Sequence, residues 1–179
     1  PAVGADATAP APGLSLVLGG ARSGKSRHAE QLIEACAAPW LYVATARAYD
    51  DEMRERIAHH VARRGAGWRT LEAPLELAHA LSHAPEGQPV LIDCLTLWLT
   101  NILLSGADAP REAERLISTL ARPRGPWVVV ANEVGLGIVP DNALARRFRD
   151  EAGRLNQAVA AVADRVLFMA AGLPLQLKG

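Results

Sequence analysis

Residues 14–26 read LSLVLGGARSGKS. A short, mostly apolar run, 14–18, leads straight into Gly19-Gly20-Ala21-Arg22-Ser23-Gly24-Lys25-Ser26, which fits G-x-x-x-x-G-K-[ST]. Glycines at this spacing let the backbone close around phosphate oxygens, so that several N–H groups converge on one anion. A helix that starts at the end of the loop points its positive end at the same place. In such a loop the Lys25 ammonium reaches the β- and γ-phosphates, and the Ser26 hydroxyl is a ligand for Mg²⁺. Only two of the 19 basic residues are lysines, Lys25 and Lys178. In a chain that otherwise uses arginine, a lysine at the phosphate position marks a need for a compact charge on a flexible stem.

Outward from this loop the chain alternates. Apolar runs at 40–44, 89–92, 126–131 and 165–170 read as further buried strands. Helical patterns are expected at 25–37, 50–64, 74–83, 94–104, 110–121 and 141–163. Pro74 and Pro110 stand where a helix start tolerates proline. Alternation of this kind predicts an α/β fold of the P-loop NTPase type, a mostly parallel sheet with helices on both faces. Residues 14–179 are expected to form a single domain, and the Ala/Pro/Gly-rich 1–13 a flexible leader.

Composition narrows the function. The 19 basic and 19 acidic residues balance, which offers no electrostatic footprint for nucleic acid. No run of 18 apolar residues is present, so no membrane insertion is expected. Cys36 and Cys94 lack metal-ligand spacing and read as reduced thiols of a cytoplasmic protein. Val90-Leu91-Ile92-Asp93 is an apolar run ending in an acid, placed to hold Mg²⁺ opposite the phosphate loop or to cap the next helix. An Asn-Lys-x-Asp base-reading segment is absent, which disfavours a regulatory GTPase.

Further motifs follow in order: YVATA (42–46), DDEMRERIAHH (50–60), WRTLEAP (68–74), LIDCLTLWLTN (91–101), NEVGLGIVP (132–140) and FRDEAGRLNQ (148–157). Together with the loop they resemble the bifunctional adenosylcobinamide kinase/adenosylcobinamide-phosphate guanylyltransferase family of cobalamin biosynthesis, over essentially all of 14–179. The resemblance implies phosphorylation of adenosylcobinamide by ATP or GTP. Transfer of GMP from GTP to the resulting phosphate then follows, through a guanylyl-histidine at His59, the first of the HH pair. It implies nucleotide contacts at Gly19–Ser26, at Ala44, Thr45 and Ala46, and at Arg64, Glu72 and Asp93, with Mg²⁺ as cofactor and a homotrimer as the assembly. The segment after the pair, VARRGAG, departs from the family pattern.

Helix geometry separates the two histidines. Met53, Ile57 and Val61 recur every four residues and mark a buried face. At about 100° per residue, His59 points away from that face and His60 falls beside it. Arg56 and Arg63 share the His59 face and suit a triphosphate. His79 and His83 stand four apart with no third ligand in view, and His28 reads as packing or surface. The glycine-rich 132–137 is either a substrate-side loop or a subunit contact. A P-loop small-molecule kinase without nucleotidyl transfer, and a nucleotide sensor, are the competing functions.

Overall fold

The computed structural model describes residues 12–47 and 65–179. Seven strands form one sheet: β1 (Gly13–Gly19), β2 (Trp40–Ala44), β3 (Trp68–Glu72), β4 (Val90–Asp93), β5 (Pro126–Asn132), β6 (Arg165–Ala170) and β7 (Leu173–Lys178). Their order is β3-β2-β4-β5-β1-β6-β7, and only β7 runs antiparallel to its neighbour. Five helices accompany them among the described residues: α1 (Lys25–Glu34), α2 (Leu77–Ser82), α3 (Leu95–Ser105), α4 (Ala109–Leu120) and α5 (Ala143–Val162). The expected mostly parallel sheet with helices on both faces is present.

Strand burial explains the apolar runs. Trp127 through Ala131 of β5 are fully buried, because helices cover both of the sheet's faces. On one face α1 contributes Ala29, Leu32 and Ile33 to a cluster with Val17, Leu91, Val128 and Val130. On the other, α2 to α5 pack Leu77, Trp98, Leu116 and Leu155 against Leu16, Ile92 and Val129. Each such aliphatic side chain contributes about 1.5–3 kcal/mol relative to exposure.

Helix starts follow local chemistry. Asp108 accepts a hydrogen bond from the Arg111 N–H at the head of α4, with Pro110 in its first turn. Asn142 caps α5 by accepting from the Ala145 N–H at 2.8 Å. The expected helix at 74–83 is shorter, since α2 begins only at Leu77. The carbonyls of Pro74 and Leu75 are instead taken by Asn101 and by the Trp98 indole, which holds 74–76 as a turn. Gly13, placed in the leader by the sequence, is already part of β1. The rest of the described 65–179 adds two strands beyond the five expected, β3 and β7, one at each edge of the sheet. The predicted helix 50–64 lies outside the described residues.

Candidate active site

The phosphate loop joins β1 to α1 at the carboxyl end of the sheet, where open α/β sheets bind ligands. Gly19 ends β1, and its carbonyl accepts from the Glu133 N–H at 3.1 Å, tying the loop to β5. A Cβ on Gly19 would lie 2.5 Å from Ser23 Oγ and 2.8 Å from the Met169 carbonyl, so no larger residue fits. Arg22 and Gly24 both have positive φ, 56° and 92°, which turns the chain sharply before α1.

A contact from the end of the chain fixes the loop. β6 and β7 are joined by Ala171-Gly172, both with positive φ, as a tight two-residue hairpin requires. The Gly172 N–H donates to the Ser23 carbonyl at 2.9 Å. In a trans peptide the C=O and the following N–H point in opposite directions. Holding the Ser23 carbonyl toward the hairpin therefore turns the Gly24 N–H away from it. No motif announces this brace, because it joins positions far apart in the chain.

Lys25 is buried, and its ammonium donates to the Gly20 carbonyl at 2.9 Å. Burial pushes its pKa down, and the nearby Asp93 carboxylate opposes that shift. Lys25 and Asp93 are thus brought into one electrostatic environment, although 68 positions separate them (93 minus 25). The Asp93 carboxylate accepts from the Tyr42 hydroxyl at 3.0 Å, across from β2. Tyr42 is buried with its ring edge-on to Trp68, and this positioning contact is absent from the motif reading. Its signal was a tyrosine two residues before the end of a strand that neighbours the acid.

Thr45 secures the same corner. It is fully buried. Its hydroxyl donates to the Cys94 carbonyl at 2.7 Å and accepts from the Cys94 N–H at 2.8 Å. Its own N–H donates to the Asp93 carbonyl, and its carbonyl accepts from Asn101 Nδ2 at 2.8 Å. The Thr45 side chain is therefore engaged with the β4–α3 turn, while Ala44 and Ala46 on either side are half-buried.

Ser26 is half-buried in the first turn of α1, and Glu72 is exposed at the end of β3. Glu72 and Arg47 edge a cavity of about 600 Å³ walled by Leu41, Leu71, Pro74 and Ala80. His59 and Arg64 lie outside the described residues. His28 is buried, and desolvation, aided by Arg165, lowers its pKa. The His79 and His83 ring centroids lie 4.4 Å apart with the rings tilted by 53°, and among the described residues no cluster of three or more His, Cys, Asp or Glu is arranged for a metal. Mg²⁺ takes hard oxygen ligands. Ser26 and Asp93 offer only oxygens, beside a phosphate loop that supplies more ligands through its bound nucleotide, so these residues fit that ion.

Comparison with known proteins is consistent along the chain. The cobinamide kinase / cobinamide phosphate guanyltransferase family profile matches residues 15–177. The bifunctional adenosylcobalamin biosynthesis protein CobP of Pseudomonas aeruginosa is 54% identical over 169 residues, covering 92% of this chain and 96% of the relative. The protein of that description named CobU in Salmonella typhimurium is 44% identical over 180 residues, covering 91% and 98%. Among solved structures, an ATPase from a bacterial type III secretion system superposes with a TM-score of 0.57 at 12% identity, over 93% of this chain and 57% of its own. A Pyrococcus horikoshii OT3 protein superposes with a TM-score of 0.53 at 13% identity, over 95% of this chain and 88% of its own. These two likenesses concern the fold alone.

Proposed function

The chain belongs to the cobinamide kinase / cobinamide phosphate guanyltransferase family of enzymes, and we propose that it carries out two successive transfers on one corrinoid. In the first, the aminopropanol hydroxyl of adenosylcobinamide attacks the γ-phosphorus of ATP or GTP. The bond to the bridging oxygen breaks, the nucleoside diphosphate leaves, and the hydroxyl proton passes to water. In the second, a ring nitrogen of His59 attacks the α-phosphorus of GTP and expels pyrophosphate. The corrinoid phosphate then displaces the histidine and gains GMP, giving adenosylcobinamide-GDP.

The observation that carries this reading is the convergence of Lys25, Asp93 and the glycine loop at one end of the sheet, in a chain matched over 15–177 by one family. Lys25 neutralises charge that develops on the transferring group, and the loop N–H groups hold the triphosphate. Ser26 and Asp93 would hold Mg²⁺, which when bound screens the phosphate charges. Tyr42 and Thr45 keep the Asp93 carboxylate in place. Ala44, Ala46, Glu72 and Arg64 complete the nucleotide site in this proposal. The assembly is a homotrimer, and the free thiols Cys36 and Cys94 suit the reducing cytoplasm.

Incubation with adenosylcobinamide and GTP, followed by mass analysis of the corrinoid, tests the reading. A phosphate gain followed by a GMP gain is expected. A product that stops at the phosphate identifies a kinase alone, and an unchanged corrinoid identifies neither activity.

A further inference from the structure

Away from the phosphate loop, α2 carries two histidines four positions apart, His79 in its last turn and His83 at its C-cap. Both are exposed, and both line the cavity that Glu72 and Arg47 edge. Residues four apart share one face of a helix. Spacing alone does not say which ring nitrogen is free, or whether both rings can meet one ion. Local geometry settles both points.

The neighbours of His83 place its proton. Nδ1 lies 2.9 Å from the His79 carbonyl oxygen, which can only accept. It also lies 3.1 Å from Ser82 Oγ, whose own hydrogen goes to that same carbonyl at 2.7 Å. Nδ1 therefore carries the hydrogen and donates it, which in a neutral imidazole leaves the lone pair on Nε2. A ring N–H given to a backbone carbonyl is the contact that fixes the tautomer of metal-ligating histidines.

The rings are spaced for one ion. Their centroids lie 4.4 Å apart, with the planes tilted by 53°. An ion about 2.0–2.1 Å from one nitrogen of each ring sits roughly 3.2 Å from each ring centre, so a right angle at the ion spaces the centres at about 4.5 Å. Two nitrogens at a right angle suit tetragonal Cu²⁺ and Ni²⁺, which imidazole binds well. Local charge does not oppose a cation. Beside the two rings, the charged groups lining the cavity are Arg47, Glu72 and Glu76, one positive and two negative.

We propose that His79 and His83 form a binding site for a divalent transition-metal ion of the Cu²⁺ and Ni²⁺ class. The ion is held by Nε2 of His83 and one ring nitrogen of His79, with water in the remaining positions. Both rings bind through lone pairs, and no proton is displaced from a neutral imidazole. The site is separate from the oxygen ligands Ser26 and Asp93, because Mg²⁺ prefers oxygen and imidazole selects the softer ion. The chelate spans the last turn of α2, whose Ala80 walls the cavity, and so stiffens that wall.

The test compares the full wild-type chain with His79→Ala, His83→Ala and His60→Ala, each first checked for folding by a melt without metal. Calorimetry with Ni²⁺ is expected to show one ion per wild-type chain. Affinity falls at least about tenfold in His79→Ala and in His83→Ala, since the second ring binds intramolecularly, and holds in His60→Ala. Electron paramagnetic resonance with one equivalent of Cu²⁺ should show coupling to two imidazole nitrogens in wild type and to one in each of the first two variants. Equal affinity in wild type and those two variants overturns the proposal. So does weakening in only one of them, which leaves a single-histidine contact, or loss in His60→Ala alone, which moves the ion to the HH pair.

Discussion

Replacing Thr45 with valine keeps the side-chain shape and removes one hydroxyl. That hydroxyl makes two hydrogen bonds to Cys94, at 2.7 and 2.8 Å, in a fully buried position. The two losses differ in size. The Cys94 carbonyl retains a bond from the Trp98 N–H at 3.2 Å, so it remains partly satisfied. The Cys94 N–H loses the partner described for it and costs about 1–3 kcal/mol. With a smaller penalty at the carbonyl, Thr45→Val should lose about 2–3 kcal/mol. For a chain of 179 residues, that corresponds to a melting temperature about 5–10 °C lower. Thr45→Ser keeps the hydroxyl and loses a methyl, about 1 kcal/mol. Urea unfolding of the three proteins should order them wild type, Ser, Val. Because Cys94 follows Asp93 directly, the valine variant should also lose kinase rate more than the serine variant does. A valine variant as stable as the serine variant would refute the hydrogen-bond account of this corner.

Asp93→Asn should retain nucleotide binding but need more Mg²⁺ for half-maximal kinase rate, as read from metal titrations; an unchanged titration makes Asp93 a structural residue only. His59→Ala should lose acid-labile, alkali-stable labelling by α-labelled GTP while still phosphorylating adenosylcobinamide, whereas His60→Ala should still become labelled; the reverse pattern assigns the intermediate to His60. Burial pushes the Cys94 thiol up to about 12 in the folded chain. The folded state then keeps a proton that the unfolded state releases near pH 9, so stability should fall as pH rises from about 9 toward 12. Thermal melts over that range, with mass analysis of iodoacetamide labelling at pH 8.5, should show falling stability and an unmodified Cys94 in the native protein; a readily alkylated Cys94 contradicts its burial.

The central strands were legible because burial on both faces leaves continuous apolar runs, as in Val90–Ile92 and Trp127–Ala131. The edges were not. In β3, WRTLE has only two apolar residues, three apart, and is mostly exposed, and in β7, LPLQLK mixes a proline with leucines that remain about 60% exposed. Edge strands take their structure from one neighbour, not from a run of buried side chains. The phosphate loop and Asp93 were legible because their chemistry is written in consecutive residues. Tyr42, Asn101 and Gly172 were not, because each acts on a residue at least 50 positions away: Tyr42 on Asp93, Asn101 on Thr45, Gly172 on Ser23. Only the sheet order brings those pairs together.

One phosphate loop serving two reactions is the claim on which the account turns. Wild type and Lys25→Ala should be incubated with adenosylcobinamide and GTP labelled at either the α- or the γ-phosphate, and the label followed into corrinoid and protein. Wild type is expected to place γ-label on the corrinoid and α-label first on the protein and then on the corrinoid. Folded Lys25→Ala is expected to lose both by several powers of ten, since one ammonium holds the triphosphate for both attacks. A variant that loses γ-transfer but keeps wild-type α-labelling would contradict the account and require a second nucleotide site.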